Sequence, residues 1–226
     1  MTRVLKPGGV IVWVVGDATI GGSETGTSFR QALFFKDVCG LNLHDTMIYD
    51  KGSCPYPDKT RYYSSFEYMF VFSKGRPKTF NPIRDRPNKE AGKKIMGTTT
   101  RRPDGSLIKT SAEINNTGRT IKEFGVRWNI WRYSPGFGKS HTDNIAYKHP
   151  ATFPEALVRD LMISWSNPGD IIYDCCGGSG TVAKIAKLNN RNWILSEISS
   201  EYCEIIQERL ELVYGTNNTN FINSIV

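Results

Sequence analysis

Residues 173–188 read YDCCGGSGTVAKIAKL. The apolar run IIYD (171–174) enters a turn with glycines at 177, 178 and 180, and a helical apolar spacing begins at once from Thr181. Strand, glycine turn and helix in this order bring backbone N–H groups and a helix N-terminus close to something polar. Two ligand classes can be tested on spacing. A Walker phosphate loop needs G-x-x-x-x-G-K-[ST], but Gly180 is followed by Thr181 and Val182, so nucleoside triphosphate chemistry is disfavoured. The G-x-G-x-x-G/A fingerprint is met by Gly178, Gly180 and Ala183. Glu197 closes the next apolar run, NWILSEIS (192–199), where a carboxylate can accept both ribose hydroxyls of an adenosine.

Two features separate the adenosine cofactors. A dinucleotide fold usually carries its fingerprint near the start of six strands. Here one further strand follows, so the others come from earlier in the chain and the sheet reads as circularly permuted. Asp174 stands directly before the turn, where an acid repels a pyrophosphate but accepts hydrogen bonds from an ammonium group. Together they favour the zwitterionic S-adenosylmethionine over a dinucleotide.

The rest of the chain supplies strands and helices in alternation. VIVWVVG (10–16) reads as a buried strand after the KPGG turn, and LHDTMIYDK (43–51) and SFEYMFVFSK (65–74) as two more. Ser28 and Gln31 have capping-box spacing ahead of a helix that ends at Gly40. Thr152 and Glu155 repeat that spacing, with Pro154 in the first turn of a helix whose face is Leu157, Leu161, Met162 and Trp165. SEYCEIIQERLELV (200–213) is the last amphipathic helix, and GTNNTNFINSIV is a frayed tail. The class is α/β.

Charge is concentrated in one place. The 226 residues carry a net +7. Residues 76–122 hold twelve Lys/Arg and four Asp/Glu, +8, and the remainder therefore sums to −1. This segment is poor in apolar residues. It reads either as a solvated loop or as a phosphate-contacting surface for nucleic acid. The aromatics Trp128, Trp131 and Tyr133 that follow either stack on a base or pack in the core. Five cysteines without a C-x-x-C, and three histidines, make a zinc site improbable; the cysteines are expected to be reduced, small and buried. No apolar run spans a bilayer, and the N-terminus lacks a signal-peptide pattern, so a cytoplasmic protein without membrane contact is expected.

HPATFP (149–154), NPGD (167–170), DCCGGSGT (174–181) and Glu197, in this order, resemble the C-terminal half of the amino-group DNA methyltransferases, in the class with the catalytic motif before the cofactor motif. The family pattern Asp-Pro-Phe-x-Gly-Ser-Gly-Thr is matched at Asp174, Gly178, Ser179, Gly180 and Thr181, with Cys175 and Cys176 in place of Pro-Phe. LKPGG (5–9) and the strand 65–74 also resemble the family. The resemblance implies S-adenosylmethionine as cofactor, held by Asp174, Gly178, Ser179, Gly180, Thr181, Glu197, Thr152, Phe153 and Pro154. It implies methylation of adenine N6 or cytosine N4 in double-stranded DNA, within a restriction-modification setting that leaves room for an endonuclease partner. His149 takes a cofactor-wall role rather than that of a proton carrier. By the same resemblance, 1–74 is part of the catalytic half of a Rossmann-like sheet, 75–125 a basic target-recognition insert and 126–226 the cofactor-binding half.

The family holds the flipped-out base with Asp/Asn/Ser-Pro-Pro-aromatic. This chain has no Pro-Pro dipeptide, and only five residues precede Lys6. No catalytic residue is therefore assigned. The sheet is expected to be incomplete at its N-terminal side: the residues read as a C-terminal piece of a longer methyltransferase, through truncation, a late start codon or a split gene, which leaves room for a complementing N-terminal chain, and no methyl transfer is expected from these residues alone. The alternatives are a DNA-binding module without chemistry and a nucleotide-dependent oxidoreductase fragment.

Overall fold

The structure is a computed structural model, and it describes residues 1–54, 59–95, 99–109 and 118–214. The tail assigned above to fraying lies outside the described residues. The chain divides into two compact units, Met1–Asn81 with Asn129–Val226, and Pro82–Trp128.

In the first unit, β1 (Val10–Val15) leaves the Pro-Gly-Gly turn already paired. Gly8 adopts φ +78° and donates its N–H to the Lys74 carbonyl at 2.7 Å, while the Gly9 carbonyl accepts from Lys74 at 3.1 Å. A β-branched run suits this edge because its side chains pack on the pleated surface. Helix α1 (Thr27–Leu33) follows and widens into a π-helical turn at Phe34–Val38. The Ser28–Gln31 capping box does not form. The Ser28 N–H and hydroxyl both donate to the Asp17 carboxylate, and Gln31 accepts from Trp13 Nε1 at 2.8 Å. A carboxylate at the end of β1 is the stronger acceptor for helix N-terminal donors, so Ser28 is drawn away from its local partner.

β2 (Asn42–Asp50) and β3 (Phe66–Ser73) are antiparallel to one another, and β3 also pairs antiparallel with β1. Met69, Val71 and Phe72 of β3 are fully buried. β4 (Ile130–Arg132) runs parallel to β2. The aromatic stretch 126–138 thus supplies a strand that periodicity did not reveal, three residues being too few to show it. The order is β1-β3-β2-β4. Ile11, Phe70 and Phe72 form its core with Ala32 and Leu41.

Helix α2 (Glu155–Trp165) starts one residue after Pro154, which has extended backbone, and Thr152 makes no capping bond. The second capping box is therefore also absent; Glu155 is turned inward instead. The apolar face is set by Leu157, Val158 and Met162, with Leu161 and Trp165 partly buried. β5 (Ile171–Asp174), α3 (Thr181–Leu188) and β6 (Asn192–Leu195) make a right-sized βαβ unit with β5 and β6 parallel, and α4 (Ser200–Tyr214) closes it. Val158 and Met162 pack on Ile185 and Ala186. Ala183 and Leu195 pack on Ile206 and Leu210. Among the described residues β1 pairs with β3 alone, and β5 with β6 alone.

The second unit is laced by short antiparallel pairings. Arg86–Pro87 pairs with Phe124–Gly125, and Thr99–Arg101 with Leu107–Lys109. Ile95 N–H donates to the Arg119 carbonyl and Ile121 N–H to that of Lys93, both at 2.8 Å. Arg84, Lys89, Lys94, Arg101, Arg102 and Lys122 are exposed on it.

Candidate functional site

The glycine turn is built where β5 ends. Gly178 (φ +52°) and Gly180 (φ +75°) occupy the left-handed region, which a side chain disfavours. A Cβ on Gly178 would stand 3.3 Å from His149 Nε2, and one on Gly180 3.2 Å from Ile206. Gly180 ends the turn as the residue before α3. The Gly177 N–H donates to the Ser196 carbonyl at 2.9 Å, and the Gly180 N–H to Gly177 at 2.8 Å. The first bond fastens the turn to the end of β6, and the second closes the turn on itself.

Two carboxylates flank it. The register pairs Asp174 with Leu195, which brings Asp174 and Glu197 to the same C-terminal edge of the parallel pair. That edge is where open α/β sheets bind ligands. Glu197 accepts the Gly178 N–H at 2.7 Å through one oxygen, and the Ile198 and Ser199 N–H groups at 2.9 and 3.0 Å through the other. Burial pushes its pKa up, and the three backbone donors outweigh that, holding it below the ordinary range. A carboxylate offers about four acceptor positions, and the three backbone donors leave Glu197 with acceptor capacity to spare.

Asp174 is in the opposite condition. It accepts one N–H, from Cys176 at 3.0 Å. Burial, with the charge of Glu197 adding to it, raises its pKa to about 6, against the pull of the Cys176 amide. A half-buried carboxylate with one donor and a negative neighbour has capacity for a cation.

His149 lies beside the turn as a wall. Its ring is edge-on to Tyr202 with centroids 4.4 Å apart, and its Nδ1 accepts the Ala151 N–H at 3.1 Å. Phe153 is 41% exposed, free to cover a flat ligand; Pro154 is buried and Thr152 half-buried. Ser179 and Thr181 are buried, their hydroxyls 3.3 Å apart. They line the inner side of the turn.

Several sequence expectations change here. Cys176 is exposed and the other four cysteines are half-buried, not buried; Cys175 and Cys176 are adjacent at the strand end, their sulfurs 3.8 Å apart. Trp131 is a core residue and the Tyr133 hydroxyl donates to Asp160 at 2.6 Å. In the 82–128 unit Trp128 is 67% exposed, with the Arg86 guanidinium 4.3 Å from its ring centroid. Sequence reasoning overlooked Lys184, Arg209 and His141, all buried behind the turn. The available signal was that Lys184 and Arg209 sit among the apolar positions of their helices.

Comparison with known proteins matches a family model described as DNA methylase, for N6 and N4 methyltransferases, over residues 1–208. The chain belongs to the N6/N4 DNA methylase family. It is 57% identical over 210 residues to the orphan methyltransferase M.BamHII of Bacillus amyloliquefaciens, covering 92% of this chain and 77% of that one. Among solved structures, the cytosine-N4-specific PvuII DNA methyltransferase shares 19% identity with TM-score 0.62, over 96% of this chain and 67% of that chain. The M1.HpyAVI–SAM complex shares 21% identity with TM-score 0.57, over 91% of this chain and 76% of the other. These likenesses support the mixed α/β methyltransferase fold. No helix among the described residues is long and apolar enough to cross a membrane.

Proposed function

We propose that this chain supplies the S-adenosylmethionine site and a DNA-facing unit of an amino-group DNA methyltransferase acting on adenine N6 or cytosine N4. The observation that carries the reading is the pair of unlike carboxylates at one turn. Asp174 has unused capacity beside the turn and receives the ammonium of the cofactor's amino-acid end. Glu197 accepts from the ribose. Gly178 and Gly180 leave the space a Cβ would fill, and Phe153 and His149 wall it. S-adenosylmethionine, once bound, supplies an electrophilic methyl group; the chain's own residues orient it and exclude water. M1.HpyAVI carries SAM by its name, which supports the same ligand here.

The sheet reads as circularly permuted, with the cofactor half after the catalytic half. No Pro-Pro dipeptide occurs in the sequence, so the step that holds the target amine is assigned to no residue described above. The 82–128 unit is read as target-recognition region, its exposed arginines and lysines neutralising phosphates.

Calorimetry with S-adenosylmethionine and with NAD tests the cofactor assignment: binding of the former and not the latter is expected, and the reverse would move the protein to the oxidoreductases. Methyl transfer to DNA is expected only after a segment carrying the Pro-Pro-aromatic motif is added. A second reading, a DNA-binding module without chemistry, is favoured by the concentrated charge of 76–122; it predicts salt-sensitive DNA binding with no cofactor affinity.

A further inference from the structure

Behind the turn lies a buried ionic cluster with no assigned role. Arg209 is 1% exposed and Lys184 5%. Arg209 Nε donates to both oxygens of Asp143 at 3.0 Å. Its Nη1 donates to the Ser179 carbonyl and to the Thr181 hydroxyl, both at 2.9 Å. Its Nη2 donates to Glu155 Oε1 at 2.8 Å and to His141 Nδ1 at 2.9 Å. Lys184 Nζ donates to Thr142 Oγ1, Asp143 Oδ2 and Glu155 Oε1 at 2.7, 2.5 and 2.6 Å. Two cations thus meet two carboxylates. Burial raises the pKa of Glu155, but contacts from His141 and Lys184 more than offset it and hold it at about 2.

A buried ion cluster is poor evidence of stabilisation, because well-packed apolar residues often do as well. Its geometry is what apolar residues cannot copy. One rigid, planar guanidinium holds the carbonyl and hydroxyl on either side of Gly180 and also the first residue of α2. Glu155 follows directly on Thr152–Pro154. The two walls of the candidate cofactor site are therefore tied to one side chain.

We propose that Arg209 is a positioning residue: it sets the spacing between the turn 177–181 and the segment 152–154, and through it the affinity for the amino-acid end of the cofactor, without touching the ligand. The proposal rests on the cofactor reading above. Glu197 has no bond to Arg209 among those described; it meets the turn through the Gly178 N–H alone and is also held by the Ile198 and Ser199 N–H groups, so the ribose end is expected to respond less than the amino-acid end.

The test compares S-adenosylmethionine with adenosine by calorimetry on the 226-residue chain and its Arg209→Lys variant. Lysine keeps the charge but is a point donor that cannot span the five groups. Loss of a charge-assisted contact set is expected to weaken S-adenosylmethionine about tenfold or more and adenosine less than about threefold. Equal losses for both ligands, or none for either, would overturn the proposal. Should Arg209→Lys not fold, Asp143→Asn loosens the same guanidinium while keeping an acceptor for Nε, and the same inequality is expected at smaller size. Amide hydrogen exchange on the free protein separates this from the cofactor reading. In either variant, exchange at 177–181 is expected to speed up while the middle of α4 stays protected. Unchanged exchange in the turn refutes the positioning role even if wild-type protein binds no adenosine compound at all, a result that by itself would sink only the cofactor assignment.

Discussion

Asp174→Asn is expected to make the free protein more stable and its cofactor site weaker at the same time. The carboxyl is raised from the ordinary 3.8 to about 6 by burial, with Glu197 adding to it. A raised acid binds its proton more tightly in the folded than in the unfolded chain. Stability is therefore greatest below about pH 4, falls as pH rises toward 6, and stays reduced above it. At about 1.36 kcal/mol per pH unit the full penalty is roughly 3 kcal/mol, and allowing for partial solvation on the order of 1–3 kcal/mol. Asparagine keeps an oxygen for the Cys176 N–H and removes the charge. For a chain of this length each kcal/mol is worth about 2–4 °C, so thermal unfolding at pH 7.5 should shift upward by several degrees, and the gain should vanish near pH 4. Affinity for S-adenosylmethionine should move the other way. A hydrogen bond to a charged group contributes about 1.5–3 kcal/mol, which predicts a loss of about tenfold to a hundredfold. Wild-type affinity should also fall about tenfold between pH 7.5 and 5 as Asp174 takes up its proton, whereas the variant should be flat. Calorimetry across that range reads both. A variant less stable than wild type at pH 7.5, or a wild-type affinity unchanged down to pH 5, would refute the reasoning.

Three further outcomes are expected. Glu155→Gln should destabilise the protein at pH 7, and its difference from wild type should shrink as pH falls from 4.5 toward 2; a folded pKa held at about 2 means the stabilisation is present above the ordinary 4.5 and lost below it, which pH-dependent thermal melts will show. Phe72→Ala removes a fully buried ring from the C-terminal end of β3, and denaturant unfolding should report a loss of about 3–5 kcal/mol. Replacing exposed Arg101 and Arg102 with Ala should lower the salt dependence of DNA binding by up to about 2 in the slope of log K against log salt if both contact phosphates; an unchanged slope removes them from the interface.

The sequence by itself determined the local pieces. The runs 10–16, 43–51, 65–74, 171–174 and 192–199 are short, alternate or cluster apolar residues and are bounded by turn residues, which suits a strand, and the structure has strands at each within a few residues. The turn at 177–180 was legible because glycine adopts φ +52° and +75° without the strain a Cβ brings. The acids at its edges could be placed because strand ends fix which residues point at a ligand. Tertiary structure decided everything that depends on what lies opposite. The capping boxes failed because Asp17 and the Lys184–Arg209 cluster offered Ser28 and Glu155 partners stronger than their own helix termini. β4 emerged because Ile130–Arg132 found β2 to pair with, a match between residues some eighty apart that no local pattern encodes. Lys184 and Arg209 stand among the apolar positions of their helices, but no local pattern says which partners they meet; the fold brings Asp143 and Glu155 to them. Spacing along the chain fixes which groups a backbone can present, but burial and partner choice are collective, and they set how those groups are charged and held.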